Sequence, residues 1–592
     1  MNTPADIVSR HRARLAAERG VVRKEWGGRR SVSLAYPNSY WLGMSNLGFQ
    51  IVYRLFNQRP EIVAERVFLP EGPEMSLHLR SGRPLLSLES QRPLYEFDLV
   101  AFSLSFENDY PHLLRMLDLG GIPLRAEERT AGTPLVMAGG VAAFLNPEPI
   151  APFIDFFLLG EAEAVLDPFL DAFLECYSPG SDREEVLVRL AGNVPGLYVP
   201  RFYQAQYHQD GTLKAFFPNQ AGIPEKVRVI RSVRAGFREK GMPISTVLTP
   251  ETEFSNKALV EVGRGCGHSC RFCAAGYVYR PPRLYDESRL RAAVLKAMDQ
   301  SDQVGLVSPA VSDVPGIEAL TGLILDRGGT FSVSSLRAET LSQGLLDHLR
   351  AAGQKTITIA PEAGSERLRR VINKHLARDQ ILDTVRRISR TADFSLRLYF
   401  LIGLPTETDD DLRQMVDLVK QIRHHMVKES AARGRIGRIR ISVNCFVPKP
   451  FTPFQWFPLT DVGSLKKKQK WIKKALAKAG GVDVGLDVPR WAYVQALLCL
   501  GDRRVGSILL TAHGSGGDWT GALKYSSMNP DFYVYRPKGD QELLPWDFMD
   551  HGILKKHLLK ERDMSLEGEE TEICQVGNCR RCGACAGPHL VN

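Results

Sequence analysis

Two series of alternating β and α segments constrain the fold of this chain more than any other feature of its sequence. The first series occupies residues 31–180, where apolar runs such as Ser31–Tyr36 and Ile62–Phe68 alternate with segments of helical periodicity. The second series contains six predicted strands, the first at Ala258–Val262 and the last at Arg440–Phe446. Alternation of this kind predicts parallel sheets covered by helices. The chain is therefore predicted to be α/β, with a doubly wound N-terminal sheet and a partial barrel of βα units.

This pattern divides the chain into four predicted segments. Residues 1–180 form the N-terminal α/β domain, and residues 181–254 form a connector with short strands, because prolines interrupt its apolar runs. Residues 255–457 form the partial barrel. Residues 458–592 form a helical and irregular extension that ends in a cysteine-rich tail.

The charge balance and the hydropathy of the chain narrow its classes of function. Its 592 residues include 76 Lys and Arg against 67 Asp and Glu, a net charge of +9 that permits nucleic-acid binding without requiring it. No apolar run approaches the length of about 18 residues that a membrane span needs. Residues 1–20 also lack the apolar core of a secretory signal. The sequence therefore predicts a cytoplasmic protein with no membrane partner.

Seven of the ten cysteines fall into two short clusters. In the first, Cys266, Cys270 and Cys273 come directly after the first predicted barrel strand, and thus at the barrel mouth. Structural zinc usually takes four ligands in paired C-x2-C units, and no second unit follows here. Three thiolates fit a 4Fe-4S cluster with one iron left open for a substrate. His268, inside the motif, is either a fourth ligand or a solvated loop residue.

The second cluster forms the tail of the chain and places four cysteines within twelve residues: Cys574, Cys579, Cys582 and Cys585. The first three have the C-x4-C-x2-C spacing of plant-type ferredoxins, and a contiguous run of this kind can wrap around a cluster. Structural zinc is the alternative, although its ligand pairs are usually further apart, and a redox role for the thiols comes third. The tail is therefore predicted to hold a second iron–sulfur cluster or zinc.

The motif C-x3-C-x-aromatic-C after the first strand of a βα barrel resembles the signature of the radical S-adenosylmethionine (SAM) enzymes. Later segments agree, since Leu401–Thr408 resembles the family's Gly-x-Pro-x-Glu-Thr stretch and Val447–Trp456 resembles the closing strand of radical SAM methylthiotransferases. The resemblance implies that the three barrel cysteines bind a 4Fe-4S cluster, where SAM is cleaved to a 5′-deoxyadenosyl radical. It implies an electron donor such as flavodoxin or ferredoxin. It also assigns SAM binding to residues at the strand ends: Ser308, Asp313, Ser334, Arg337 and Glu362.

The N-terminal domain resembles the cobalamin-binding domain that precedes the barrel in many radical SAM enzymes. Four of its residues fall where that domain has loops facing the cofactor: Ser103, Ser105, Gly139 and Gly140. The chain departs from the family pattern in residues 36–48, where a cobalt-binding histidine should follow the first strand and none is present. Either cobalamin binds without a histidine ligand, or the domain is a cofactor-free scaffold. In the order of its motifs, nearly the whole chain resembles the uncharacterised cobalamin-domain-containing radical SAM proteins.

Together these features predict a radical SAM enzyme of the transferase type, with methylation or methylthiolation of a bulky RNA or protein substrate as its reaction. Residues Ser464–Lys478 include seven lysines and no acid, which form either a solvated helix face or a surface for an RNA backbone. The alternative function is an RNA- or ribosome-associated binding protein with structural metal clusters. The enzyme is expected to form 5′-deoxyadenosine only with its barrel cysteines, whereas the binding protein is expected to bind RNA without them.

Overall fold

The computed structural model describes residues 4–232, 244–334, 336–577, 579–585, 587 and 590–591. The N-terminal part forms one sheet of six strands, β1 (Arg30–Tyr36), β2 (Ile62–Phe68), β3 (Leu99–Ser103), β4 (Leu135–Gly139), β5 (Phe156–Leu158) and β6 (Leu197–Tyr198). Seven helices accompany it, α1 (Pro4–Ala17), α2 (Tyr40–Ser45), α3 (Leu47–Gln58), α4 (Gly72–Ser81), α5 (Tyr110–Leu119), α6 (Ala162–Cys176) and α7 (Arg183–Asn193).

The N-terminal sheet has the order β2-β1-β3-β4-β5-β6, with the first five strands parallel and β6 antiparallel to β5. The order 2-1-3-4-5 is that of a doubly wound, flavodoxin-like sheet, so this prediction is confirmed. The sheet continues through α7 and β6, past the boundary predicted at residue 180. The reason is that β6 is only two residues long, too short to be recognised from its periodicity.

The connector joins the N-terminal sheet to the C-terminal part of the chain. Strands β7 (Tyr203–Tyr207) and β8 (Leu213–Pro218) form an antiparallel hairpin. The short strands β9 (Val227–Arg228) and β10 (Arg231–Ser232) pair instead with segments near the end of the chain, at Met549–Asp550 and Leu590–Val591. Pairing over so long a separation in sequence explains why no local pattern indicated these partners.

The barrel region contributes nine strands: β11 (Ala258–Glu261), β12 (Gly263–Arg264), β13 (Arg283–Leu284), β14 (Gln303–Val307), β15 (Thr330–Val333), β16 (Thr356–Glu362), β17 (Ser395–Ile402), β18 (Ile439–Cys445) and β19 (Val482–Leu486). Its helices are α8 (Ala275–Val278), α9 (Glu287–Met298), α10 (Ile317–Asp326), α11 (Gln343–Ala351), α12 (Glu366–Val371), α13 (Arg378–Thr391), α14 (Asp409–Ser430) and α15 (Val462–Leu476).

The six predicted barrel strands all form, and they divide into two parallel sheets, β11-β14-β15 and β16-β17-β18-β19. Strand β19 is a seventh parallel strand that the sequence did not indicate. Its residues Asp483 and Gly485 interrupt the apolar run, which removes the usual strand signal. In β17, Leu396, Leu398 and Phe400 are buried whereas Arg397 and Tyr399 are partly exposed, so the two faces of the strand differ.

The C-terminal region is mostly helical, as predicted. It contains α16 (Pro489–Leu500), α17 (Val505–Gly514), α18 (Trp519–Lys524), α19 (Asp531–Val534) and α20 (Lys555–Glu567), with the short strands β20 (Met549–Asp550) and β21 (Leu590–Val591). Helix α17 packs against α5 of the N-terminal domain, and α20 packs against α12 of the barrel. In the part of the chain that the structure describes, no helix is long and apolar enough to cross a membrane.

Candidate active site

The three barrel cysteines lie on one loop between β12 and α8, directly after the carboxyl end of β11. Strand β12 pairs antiparallel with β13, so the two ends of the segment that contains the cysteines lie side by side. Gly265 has φ +78°, and a Cβ at this position would lie only 2.5 Å from the Tyr279 carbonyl oxygen. Glycine is required there because both the backbone angle and the close approach exclude a side chain. The amide of Cys273 then donates to the Cys270 carbonyl at 3.0 Å.

Two neighbouring side chains fasten this loop to the barrel. Arg271 is fully buried, and its guanidinium donates to the carbonyls of Arg370 and Val371 at 3.2 and 3.1 Å. Phe272, the aromatic residue before the last cysteine, packs against an apolar cluster at the ends of the barrel strands that includes Leu404 and Phe446. These two side chains, which lie between Cys270 and Cys273, therefore hold the loop against the barrel.

The thiols of the loop are close enough to affect one another's ionisation. Burial raises the pKa of Cys266, and burial together with the sulfurs of Cys270 and Cys266 raises the pKa of Cys273 to about 12. Among the described residues, no three His, Cys, Asp or Glu side chains converge as ligands of one metal ion. The type of donor fits an iron–sulfur cluster, because the set is all sulfur and the cationic side chains Arg337 and Lys374 interact electrostatically with Cys270.

The predicted SAM-binding residues of the second and third barrel strands form a hydrogen-bonded group. The Ser334 hydroxyl donates to the Ser308 carbonyl at 2.9 Å and accepts from the Ser308 amide at 3.2 Å, which ties the ends of β14 and β15 together. The carboxylate of Asp313 lies 2.5 Å from Nε2 of His268 and accepts from the Thr340 hydroxyl at 2.6 Å. His268 is 8% exposed, so the solvated histidine that the sequence suggested is not present.

Arg337 and Glu362 lie beside the cysteine loop but already have partners. Arg337 forms an ion pair with Glu339 and donates to the Lys374 carbonyl at 3.3 Å. Oε1 of Glu362 lies 3.5 Å from Nζ of Lys374, and burial raises the pKa of this carboxyl group. A ligand that binds either side chain must therefore share it with an existing ion pair.

A cavity of about 540 Å³ lies between the carboxyl ends of the N-terminal strands and the first two barrel strands. All four residues predicted for the cofactor loops line it: Ser103, Ser105, Gly139 and Gly140. From the barrel side, Glu261, Arg264, Gly265 and Tyr279 complete the wall. The volume is typical of a small-molecule site, which occupies about 300–1,000 Å³. Since Gly265 precedes Cys266, the cavity reaches the start of the cysteine loop.

Close backbone packing shapes the N-terminal wall of this cavity. Gly140 has φ +101°, and a Cβ there would lie 2.4 Å from the Leu104 carbonyl oxygen. The Leu104 amide donates to the Gly139 carbonyl at 2.8 Å, so the two predicted loops touch. The Asn46 side chain donates to the Ser105 hydroxyl at 3.0 Å. Among the described residues, none of those lining the cavity is a histidine, in agreement with the sequence.

The barrel side of the cavity carries a group of buried charges that the sequence did not predict. The guanidinium of Arg264 lies 2.8 Å from carboxylate oxygens of Glu163 and Glu261, one from each domain. Arg283 pairs with Glu161 across the same boundary at 2.5 Å. Arg264 lies two residues before Cys266, but nothing in the sequence identifies Glu163 of a different domain as its partner.

The tail cysteines lie against the first cysteine loop. The amide of Cys574 donates to the Gly267 carbonyl at 2.9 Å, and Cys582 is buried, with its carbonyl accepting from the Leu554 amide at 2.9 Å. The sulfurs of Cys579, Cys582 and Cys585 all interact electrostatically with Cys574. The structure therefore brings the two clusters, far apart in sequence, next to each other.

The predicted basic segment forms helix α15, on the outside of the barrel. Leu465, Ile472 and Leu476 are buried, whereas Trp471 is 41% exposed. Six lysines are exposed to solvent: Lys466, Lys467, Lys470, Lys473, Lys474 and Lys478. Lys468 instead pairs with Glu407, so the middle of the helix lies beside the loop that follows β17.

Two family models match the chain. Residues 48–200 match the model "Radical SAM proteins, N-terminal", and residues 260–419 match the model "Radical SAM superfamily". The chain belongs to the radical SAM superfamily. This places it among the radical SAM enzymes, and the matched regions include the N-terminal wall of the cavity and the cysteine loop.

Among the relatives of this radical SAM chain, "Uncharacterized protein MJ0966" of Methanocaldococcus jannaschii is 29% identical over 482 residues, which cover 81% of this chain and 90% of the relative. "Ribosomal protein uS12 methylthiotransferase RimO" of Chlorobium limicola is 23% identical over 334 residues, 53% of this chain and 72% of the relative. The solved structure of the cobalamin-dependent SAM radical enzyme OxsB matches 66% of this chain with 15% identity and a TM-score of 0.43. This chain spans about half, 52%, of OxsB.

Proposed function

We propose that the chain is a radical SAM transferase that methylates or methylthiolates a bulky substrate. The observation that carries this proposal is the loop of Cys266, Cys270 and Cys273 at the barrel mouth, in electrostatic contact with Arg337 and Lys374. These three thiolates would ligate the 4Fe-4S cluster. When bound and reduced by a flavodoxin or ferredoxin, the cluster supplies the electron that cleaves SAM into methionine and a 5′-deoxyadenosyl radical.

The surrounding residues bind and orient SAM in this proposal. The carboxylate of Asp313 accepts hydrogen bonds, and the amino group of SAM donates them. The guanidinium of Arg337 suits the SAM carboxylate, since such pairs form two parallel hydrogen bonds. Glu362 accepts from the ribose hydroxyls, and the Ser334 hydroxyl, which is hydrogen-bonded to the backbone of Ser308, holds the two strand ends at a fixed distance.

We assign the cavity between the domains to a cofactor that takes part in group transfer, with cobalamin as the candidate. Support comes from the four predicted loop residues, which all line one cavity, and from Gly265, which lines it beside Cys266. Since no described lining residue is a histidine, cobalamin would bind without a protein ligand to cobalt. A cofactor-free domain is the competing interpretation, and cobalt content decides between them.

The substrate is proposed to be a macromolecule, RNA or protein. The likeness to a ribosomal protein methylthiotransferase supports transfer to a bulky substrate. The exposed lysines of α15 and the exposed ring of Trp471 supply a surface for a phosphate backbone, and Lys468 of the same helix pairs with Glu407 in the loop after β17. An RNA-binding protein without SAM chemistry is the second candidate, because this basic surface does not depend on the cysteine loop.

The test is anaerobic reconstitution of the full chain, followed by quantification of iron, sulfide and cobalt and a dithionite assay for 5′-deoxyadenosine. We expect the wild type to form 5′-deoxyadenosine and the Cys266→Ala/Cys270→Ala/Cys273→Ala variant to form none. Cys176→Ala, in a helix of the N-terminal domain, is the matched control and should behave as wild type. Absence of SAM cleavage in a wild type with full iron content, together with salt-sensitive RNA binding by the triple variant, would replace the enzyme with the binding protein.

A further inference from the structure

Two buried side chains connect the first cysteine loop to the C-terminal tail. The first is Asn373, which is fully buried and has φ +55°, a conformation that asparagine tolerates. Its amide nitrogen is within 3.2 and 3.4 Å of the carbonyls of Ser269 and His268, inside the cysteine motif, and 3.3 Å from the Thr571 carbonyl. Its oxygen accepts from the Thr571 amide at 2.8 Å. One side chain thus joins both segments.

The second is Arg280, which is 3% exposed. Its guanidinium donates to the Ser269 hydroxyl in the first loop and to the Gly276 carbonyl, the latter at 2.5 Å. On the tail side it lies close enough to Cys582 and Cys574 to interact electrostatically with both, and more strongly with Cys582. The same guanidinium therefore binds the first cysteine loop and interacts with the tail cysteines.

Arg280 lacks the counter-charge that a buried guanidinium usually has. Within the described part of the chain, its guanidinium has a carbonyl and a hydroxyl as hydrogen-bond partners and the Tyr277 ring 4.8 Å away, and no carboxylate pairs with it. Burying an unpaired charge is costly, so buried cations are normally paired. Thiolates bound to a metal carry the missing negative charge, and Cys582 is the tail cysteine that interacts most strongly with Arg280.

We propose that Cys574, Cys579, Cys582 and Cys585 hold a second metal centre, and that this centre fixes the first cysteine loop through Arg280 and Asn373. Each thiol releases its proton to solvent when its sulfur binds the metal. The thiolates then pair with Arg280, which orders Ser269, while the anchored tail keeps Thr571 against Asn373. Backbone contact between Cys574 and Gly267 adds a direct connection. This proposal rests on the proposed function in one respect only, that the first cysteine loop binds a 4Fe-4S cluster.

The experiment uses the full chain, reconstituted anaerobically with iron and sulfide in the presence of zinc. The Cys266→Ala/Cys270→Ala/Cys273→Ala variant leaves only the tail cysteines to bind metal. The Cys579→Ser/Cys582→Ser variant removes two of the four thiols of the tail. Cys176→Ser is the matched control for a thiol outside both sets. Metal and sulfide per chain are measured, and the metal that binds identifies the tail centre as an iron–sulfur cluster or zinc. The rate at which a chelator removes iron from the first site and the EPR spectrum of that site after reduction report the coupling.

We expect the triple alanine variant to retain metal in the tail. The tail double variant should lose it and release the iron of its first site about tenfold faster, the size of effect that changes just outside a ligand sphere produce. Its EPR spectrum should differ from that of the control. Asn373→Asp, which keeps the acceptor for Thr571 but loses the donor to the cysteine loop, should retain the tail metal and still release first-site iron faster.

Two results would overturn the proposal: a triple alanine variant without metal, or a tail double variant whose iron release and EPR spectrum equal those of the control. Arg280→Lys serves where the tail variant does not fold, because it keeps the charge and loses the bridging geometry. It should retain both metals and change the EPR spectrum, and an unchanged spectrum contradicts the proposal. Failure of the proposed function is a separate result, since it appears as absent SAM cleavage while both metal sites are filled.

Discussion

Glu107 ties three parts of the chain together, and its replacement gives a sharp test of how the domains are held. It follows the Ser105 loop and is 3% exposed. Both of its carboxylate oxygens accept from Nζ of Lys449 at 2.8 Å. The Cys499 thiol donates to it at 3.0 Å and the Gln495 amide at 3.1 Å, both from α16. One carboxylate thus joins the N-terminal domain, the segment after β18 and the C-terminal region.

The expected magnitude follows from the burial of this pair. Removing one partner of a buried ion pair leaves an uncompensated charge and costs about 3–5 kcal/mol, whereas replacing both partners by apolar groups is often neutral. The Lys449 side chain is 19% exposed, which places the cost at the lower end of that range. Glu107→Leu should therefore lower the free energy of unfolding by about 3 kcal/mol, and Glu107→Leu/Lys449→Met should recover most of that loss.

The assay is urea denaturation of the wild type, both single variants and the double variant, followed by far-UV circular dichroism. The double-mutant cycle isolates the coupling between the two side chains. If the double variant loses as much as the two single variants together, the two charges do not interact and the reasoning is wrong.

Two further predictions concern backbone packing and a buried charge. Gly140→Ala places a Cβ 2.4 Å from the Leu104 carbonyl oxygen at φ +101°. It should therefore lower the free energy of unfolding by about 1–3 kcal/mol. Gly132→Ala, whose Cβ would have no atom within 4 Å, is the control, and equal urea midpoints for the two variants would contradict the prediction. Burial lowers the pKa of Lys538 from 10.5 to about 8. The buried charge therefore lowers the free energy of unfolding fully below pH 8, and this destabilisation disappears as the pH rises from 8 to 10.5. Lys538→Met should therefore stabilise the chain by about 2 kcal/mol at pH 7, after its lost hydrogen bond to Tyr533 is allowed for. That gain should shrink by pH 10, and an equal gain at both pH values in urea titrations would exclude the charge as its cause.

The parts of the fold that were predictable are those whose signal is local. Strand β14 was predicted with its observed bounds, Gln303–Val307, because a buried parallel strand reads as a continuous apolar run. The cysteine loop was predictable because its spacing and its position after β11 are both visible in the sequence. Helix α3 was expected from Asn46, and the structure starts it at Leu47 because Asn46 caps it, accepting from the Phe49 amide at 3.0 Å.

The parts that were missed depend on contacts between distant segments. Strand β19 forms because its backbone pairs in parallel with β18, although its own residues have little preference for strands. Arg264 stands two residues before Cys266 in the sequence, but its partner Glu163 belongs to the other domain. Spacing within a motif predicts which residues share a loop, whereas it contains no information about what packs against that loop.

The neighbours of Cys266 explain how these distant contacts meet at one place. Gly265, on one side, lines the cavity between the domains. Gly267, on the other, accepts the hydrogen bond from Cys574 of the tail. Both flanking positions are glycine, so the cavity wall and the tail approach the backbone of the loop directly, without an intervening side chain. The N-terminal domain, which forms the other wall of the cavity, and the C-terminal tail therefore both approach the three residues Gly265, Cys266 and Gly267 of the barrel.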